Sequence, residues 1–275
     1  MAPRKARRAA TATALVLLLT ACGGGHGGTS AASPSATADP TVLATPTDRS
    51  PHGVLLAAQL AMHTARRARF GGNLGSDSVA GLLFWAPKTV LQLKRPGTTE
   101  QLVVLDTTAY RGGDTATAAL LGGPHWRKYT GPAGPGGELT VPYADTVDRL
   151  SPLVAVTAAA TAAAPERVGE EELDDTAVEH YRVALTAADY AGAQVLLTPA
   201  RREALRAALG GDGVVTLDLW LNDRDQVVQL HRTGSGTAGR VDDTLRFEDF
   251  GGPLSVQAPA EADTWDAAGR SLPPL

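Results

Sequence analysis

Cysteine occurs once in the 275 residues, at position 22, and that limits what the chain can become. With one thiol there is no internal disulfide, so a packed hydrophobic core has to hold the fold together. Upstream of Cys22 lie Arg4, Lys5, Arg7 and Arg8, followed by an apolar stretch over 12–19. That stretch falls within the ~7–15 residues of a signal-peptide core and short of the ~20 that span a bilayer. The tetrapeptide Leu19-Thr20-Ala21-Cys22 fits a bacterial lipobox, in which the sulfur takes a diacylglyceryl group and the chain is cut before the cysteine. Residues 1–21 are therefore expected to be a lipoprotein signal peptide. The rest is expected to work outside the cytoplasm, anchored to the outer face of the cell membrane by lipid on Cys22.

Loss of the four leader cations changes the formal charge from −4 to −8. An acidic surface argues against nucleic acid as a partner and against charge-driven binding to anionic lipid heads. Of residues 23–51, 23 are Gly, Ala, Ser, Thr or Pro, a composition that cannot bury enough apolar surface to offset ordering. Residues 22–51 thus read as lipidated cysteine plus flexible tether. Residues 52–262 read as a single domain of one core, monomeric, and 263–275 as a tail.

Helical spacing marks 54–68, with Leu55, Ala58, Met62 and Ala65 on one face. A long helix is expected over 143–164, and a short one after the capping pair Thr198-Pro199. Short apolar or alternating runs at 79–85, 89–93, 101–105, 177–185, 215–221, 227–232, 240–248 and 254–257 read as strands joined by polar turns. Alternation places Tyr181, Val183 and Leu185, and likewise Leu217, Leu219 and Leu221, on one face of their strands. A sheet with one core side turns those six residues toward the helices, where they are candidates for facing a cavity. The fold class this predicts is α+β, a curved antiparallel sheet with two or three helices packed on one face.

Several segments resemble one family. Glu179-His180-Tyr181-Arg182-Val183, Leu217-Asp218-Leu219-Trp220-Leu221-Asn222, Phe247-Glu248-Asp249-Phe250-Gly251 and Val256-Gln257-Ala258-Pro259 are similar to strand and turn motifs of the actinobacterial glycolipid-carrier lipoproteins of LppX and LprG type, relatives of the carrier LolA. Asp225 and Asp175 stand where the family favours a turn glycine. The resemblance implies a half-barrel sheet wrapped around its helices, with an apolar cavity that in known members holds lipid acyl chains. These are scaffold motifs, so no ligand-contact residue follows from them.

Catalytic and metal-binding patterns are weak. The six histidines are scattered and form no His-Glu-x-x-His pair. Gly234-Ser235-Gly236 reads as a turn rather than a nucleophile elbow. The acidic run Glu170, Glu171, Glu172, Asp174, Asp175 reads as a solvated turn without the calcium-loop pattern. His63 reads as a partly buried structural histidine. The expectation is a non-enzyme without cofactor, catalytic residues or metal. Two function classes remain: a carrier that shields the acyl chains of a lipid or glycolipid, and a ligand-free interaction module or accessory subunit of an envelope transporter or sensor. An open apolar cavity favours the first, a filled half-barrel the second.

Overall fold

The computed structural model describes residues 48–134, 136–236 and 239–275. The leader, Cys22 and most of the 22–51 segment lie outside them. Helix α1, Pro51–Ala65, starts at Ser50, whose side chain accepts from the Gly53 N–H, with Pro51 in the first turn. It stops at Arg66, which takes a left-handed conformation (φ 62°) and returns its N–H to the Met62 carbonyl. The expected helix is thus three residues too long, because Arg67 already opens a strand.

That strand, β1 (Arg67–Leu74), leads an antiparallel meander of β2 (Asp77–Phe84), β3 (Val90–Lys94), β4 (Gln101–Leu105), β5 (Thr108–Gly112) and β6 (Trp126–Thr130). A short helix α2, Thr115–Leu121, separates the last two. Helices α3 (Ala144–Leu150) and α4 (Pro152–Ala160) follow. The expected helix over 143–164 is therefore broken. Pro152 disfavours helical geometry at the residue before it, and Ser151 adopts φ −78°, ψ 117°, caps α4 and turns the chain.

The second meander holds β7 (Glu166–Leu173), β8 (Thr176–Thr186), β9 (Val214–Leu221), β10 (Val227–Gly236) and β11 (Gly239–Glu248). Helices α5 (Ala187–Gly192) and α6 (Pro199–Ala208) sit between β8 and β9. As expected, Thr198 caps α6. The β7–β8 turn uses Asp174 and Asp175 at φ 49° and 62°, the left-handed pair of a type I′ hairpin.

Pairing of β1 with β11 joins the two meanders into one twelve-stranded sheet, β12-β6-β5-β4-β3-β2-β1-β11-β10-β9-β8-β7. β12 (Thr264–Asp266) runs parallel to β6 and every other pair is antiparallel. The sheet is open, with β12 and β7 at its ends, and the fold is α+β. The three expected helices are present, the middle one split, and α2 and α5 are additional. Residues 254–257 form no strand, and Gly234-Ser235-Gly236 ends β10 rather than forming a turn.

One face of the sheet is the core side. α4 is buried almost all round, through Val154, Ala155, Val156, Ala158, Ala159 and Ala160. It packs on β9 and β10 and against α1, while α5 packs on β8 and β9. Small alanine side chains let such a helix lie close to its neighbours.

Candidate functional site

The six predicted cavity-facing residues do come together. Tyr181 pairs with Leu219 and Val183 with Leu217 across β8 and β9. With Leu185 and Leu221 they share the core face, and all six are at most 9% exposed. They are packed core and line none of the pockets described below. The Tyr181 hydroxyl donates to Glu179 at 2.6 Å. Burial, and then that bond to a carboxylate, push its pKa up to about 12.

Beside this face lies a buried ion cluster with no apolar signature. Arg232, fully buried on β10, donates through Nε and Nη2 to Asp243 Oδ2 at 3.0 and 2.5 Å. It also donates to the Tyr190 hydroxyl at 3.1 Å and to the Arg149 carbonyl at 2.9 Å. Asp243 Oδ1 takes the Gly75 N–H and Arg149 Nη2. Burial pushes the Asp243 carboxyl up, but the Arg232 and Arg149 guanidinium groups together outweigh it and hold it below the usual range. Both residues stand two positions from a core leucine, Leu230 and Leu245. Strand alternation was the signal that could have placed them inside.

Arg149 also borders a slot. Leu74, Val79 and Leu93 from β1, β2 and β3 form one side, and Tyr143, Thr146 and Arg149 the other. The slot measures about 460 Å³, and Asp77, Arg95 and Asp145 also line it. Arg95 Nε and Arg149 Nε are buried there and donate to no acceptor among the described residues. Residues 272–275 complete the lining: Leu272 and Leu275 pack against the core. The Pro273 carbonyl accepts from the Tyr143 hydroxyl at 3.0 Å, and the Pro274 carbonyl from Arg111 Nη1 at 2.6 Å. Arg111 is itself held by Glu100 through Nε and Nη2, at 2.7 and 3.0 Å. Burial raises the Tyr143 phenol pKa, and Arg111 opposes the rise.

The other face of the sheet carries two further features. A trough of about 760 Å³ lies between β1, β11 and the β7–β8 turn, bordered by Gly71, Ala80, Val178 and Leu173. Gly71, which has no side chain, and Ala80, which has only a methyl, are cross-strand partners and leave it open. Arg69, Asn73, Arg246 and Glu248 also border it, and Arg246 pairs with Asp174 at 2.6 Å. It is larger than the slot and mainly apolar, with charged residues on its rim as the slot has on its own, and it faces away from the core. Further along the sheet, His180 stacks on Trp220 with centroids 4.3 Å apart. Its Nε2 and Nδ1 meet Asp218 and Glu171 at 2.6 and 2.7 Å. Both ring nitrogens are thus engaged by carboxylates, with none left for a substrate. Trp220 Nε1 first, then His180, hydrogen-bond to Glu171 and hold its pKa below the usual range. The acidic run read as a turn is therefore mostly strand β7. His63 is exposed rather than partly buried. No group of three or more His, Cys, Asp or Glu could hold a metal ion among the described residues.

No family model matches the chain. It is 27% identical over 209 residues to a Streptomyces coelicolor protein titled "Putative lipoprotein", covering 71% of this chain and 62% of that one. The chain spans between half and two thirds of the length of the curated relatives it matches. Among solved structures it is similar to LprF of Mycobacterium bovis, with TM-score 0.47, 16% identity, and 76% of this chain and 97% of that one covered. It is also similar to the Mycobacterium tuberculosis lipoprotein LppX, with TM-score 0.46, 10% identity, and 76% and 100% covered.

Proposed function

We propose that this chain is an extracytoplasmic lipoprotein, held to the outer face of the cell membrane through Cys22, that binds the acyl chain of a lipid or glycolipid in the slot between β1–β3 and α3. On this reading 1–21 is the signal peptide, 22–51 the lipidated cysteine and tether, and the body a monomeric carrier or presenter of lipid. The observation that carries it is the slot itself. Its volume falls in the ~300–1,000 Å³ range of ligand sites, its floor of Leu74, Val79 and Leu93 is continuous with the core, and its cover is a short segment rather than a helix. Each methylene buried there contributes about 0.8 kcal/mol, so a chain of modest length binds firmly.

The second reading, a ligand-free interaction module, draws on the packed state of the Tyr181–Leu221 face. An enzyme has less support, since His180 is engaged on both nitrogens. Mass spectrometry of lipids extracted from the purified full chain separates the two readings. Co-purifying lipid, lost on substituting Leu74 or Leu93 by Trp, supports the carrier; a lipid-free protein that takes up none from vesicles supports the module. The anchor has its own test. Cys22→Ser should release the protein from membranes, and full retention at high salt would refute the lipobox reading.

A further inference from the structure

We propose that residues 41–45 of this chain, Thr41-Val42-Leu43-Ala44-Thr45, dock in the trough on the outer face of the sheet. Neither the slot nor a ligand in it is needed for this. The trough is where the fold leaves apolar surface open on the side away from its core. By strand alternation Val178 points to the face opposite Tyr181, Val183 and Leu185, yet it is 3% exposed and lies outside the core cluster. Leu173, Gly71 and Ala80 continue the surface it begins. The β7–β8 turn is tied to β11 by Asp174 and Arg246 at 2.6 Å, which gives the groove a floor of sheet and a wall of hairpin.

The occupant follows from where the chain enters the body. Arg49 donates to Asp225 at 2.8 Å and to Glu179 at 3.3 Å. Asp225 belongs to the turn that begins at Asn222, and Glu179 follows Val178. Asn222 and Val178 both line the trough, so the segment before Arg49 meets the body at the trough's end. Between Cys22 and Asp48 the only large apolar side chains are Val42 and Leu43. Leu43 stands six positions before Arg49, a reach of up to about 20 Å when extended. Pro40 and Pro46 bias the residues before them, Asp39 and Thr45, toward extended geometry. In an extended segment neighbouring side chains face opposite ways, so Val42 and Leu43 meet the floor and the wall of a groove together.

Attachment this close gives the segment an effective concentration on the order of mM at the trough, which a free lipid or a second copy of the chain lacks. The groove itself is left unfilled by the body. Gly71 has an ordinary φ, and a Cβ placed on it meets nothing within 4 Å. Glycine is therefore not demanded there by the backbone, and a larger side chain at 71 would fill the groove from its floor. On the anchor reading, docking shortens the free span between lipid and body to residues 22–40 and holds the outer sheet face on the side of the anchor.

The test uses the full chain carrying Cys22→Ser, which leaves no thiol. Asn73→Cys, on the rim of the trough, then carries a nitroxide, and broadening of the amide signals of residues 41–45 is read by nuclear magnetic resonance against the reduced label. The same measurement is made with Val42→Ser and Leu43→Ser together, and with Gly71→Leu. Neither change alters the length of the tether, so a freely moving segment is broadened equally in all three. Docking predicts signals several-fold weaker in the parent and largely restored in both variants. Signals that stay sharp in the parent, or broadening that persists in both variants, would overturn the docking and leave the lipid slot untouched. Broadening when the nitroxide and the isotope label sit on separate chains would overturn it in favour of a second copy. Extractable lipid lost on Gly71→Leu but kept in the Val42→Ser, Leu43→Ser chain would overturn it in favour of lipid in the trough. Should Gly71→Leu fail to fold by circular dichroism, the tether variant decides, since it changes no residue of the body.

Discussion

The two ends of the core face are covered by different kinds of structure. Over β8, β9 and β10 lie α4 and α5, which carry their own backbone hydrogen bonds; α4 is almost wholly buried and α5 buries Ala187, Tyr190 and Ala191. Over β1, β2 and β3, beside α3, lies a four-residue segment that makes no ladder and is only partly buried. A helix cover forms cooperatively and leaves only at the cost of its whole buried face. A segment cover has no such ladder of its own to lose. On the proposed reading, a ligand enters beneath the cover that has no secondary structure of its own.

The comparison is tested most severely at the ion cluster, where helix and sheet meet. Asp243→Ala strands Arg232 as a buried charge, and removing one partner of such a pair costs about 3–5 kcal/mol. Urea denaturation should show a loss of that size. Adding Arg232→Met should recover much of it, since a buried pair replaced by apolar groups of similar volume is often neutral. A loss well under 1 kcal/mol for Asp243→Ala would mean that the cluster, which adjoins the slot through Arg149, is loosely held.

Overpacking sharpens the contrast. Leu219→Trp, in the filled face, should lower stability by about 1–3 kcal/mol and leave bound lipid unchanged. Leu74→Trp, at the slot, should reduce bound lipid with a smaller loss of melting temperature. If both behave alike, the division into a closed core and an admitting slot fails.

What could be read beforehand follows the same division. Alternation found the Tyr181–Leu185 and Leu217–Leu221 faces, because a strand with one buried side writes period two into its sequence. It did not reveal that they would be filled, since the alanines of α4 and the side chains of α5 decide that. Strand β7 was hidden because its edge position leaves Glu170, Glu171 and Glu172 in or near solvent, and charge on an edge strand looks like a turn. The slot was unreadable for a different reason. Its lining is assembled from β1–β3, α3 and residues 272–275, so no local pattern carries it.

Acid titration probes the buried ion pairs through two carboxylates whose pKa values shift in opposite directions. Asp243 has its folded pKa held below the unfolded value by Arg232 and Arg149 against burial. Its contribution to stability is therefore present above the ordinary carboxylate range and is lost as pH falls through the folded pKa. Asp148 is raised by burial, with Arg201, 2.5 Å away, opposing the rise. Its contribution is full below the unfolded pKa and declines as pH rises through the folded one. Asp148→Asn should thus steepen the loss of stability on acidification, and Asp243→Asn should flatten it. Urea midpoints measured from neutral pH down to about pH 3 check both signs, and identical slopes for the two variants would contradict the assignment.

The smallest effect is the most direct comparison of the two covers. Leu217→Ala, in the face beneath α4 and α5, removes a fully buried side chain, and such deletions cost about 2–5 kcal/mol because the surrounding helices and strands collapse only partly into the cavity. Leu272→Ala removes the same atoms from a segment that is partly exposed. The transfer loss scales with the area hidden from water, and a segment outside helix and sheet can close over the gap with less strain, so the cost should be under about 1 kcal/mol. Thermal melts of the two variants side by side give the ratio. A Leu272→Ala cost matching that of Leu217→Ala would mean that residues 272–275 are bound into the core as firmly as a helix.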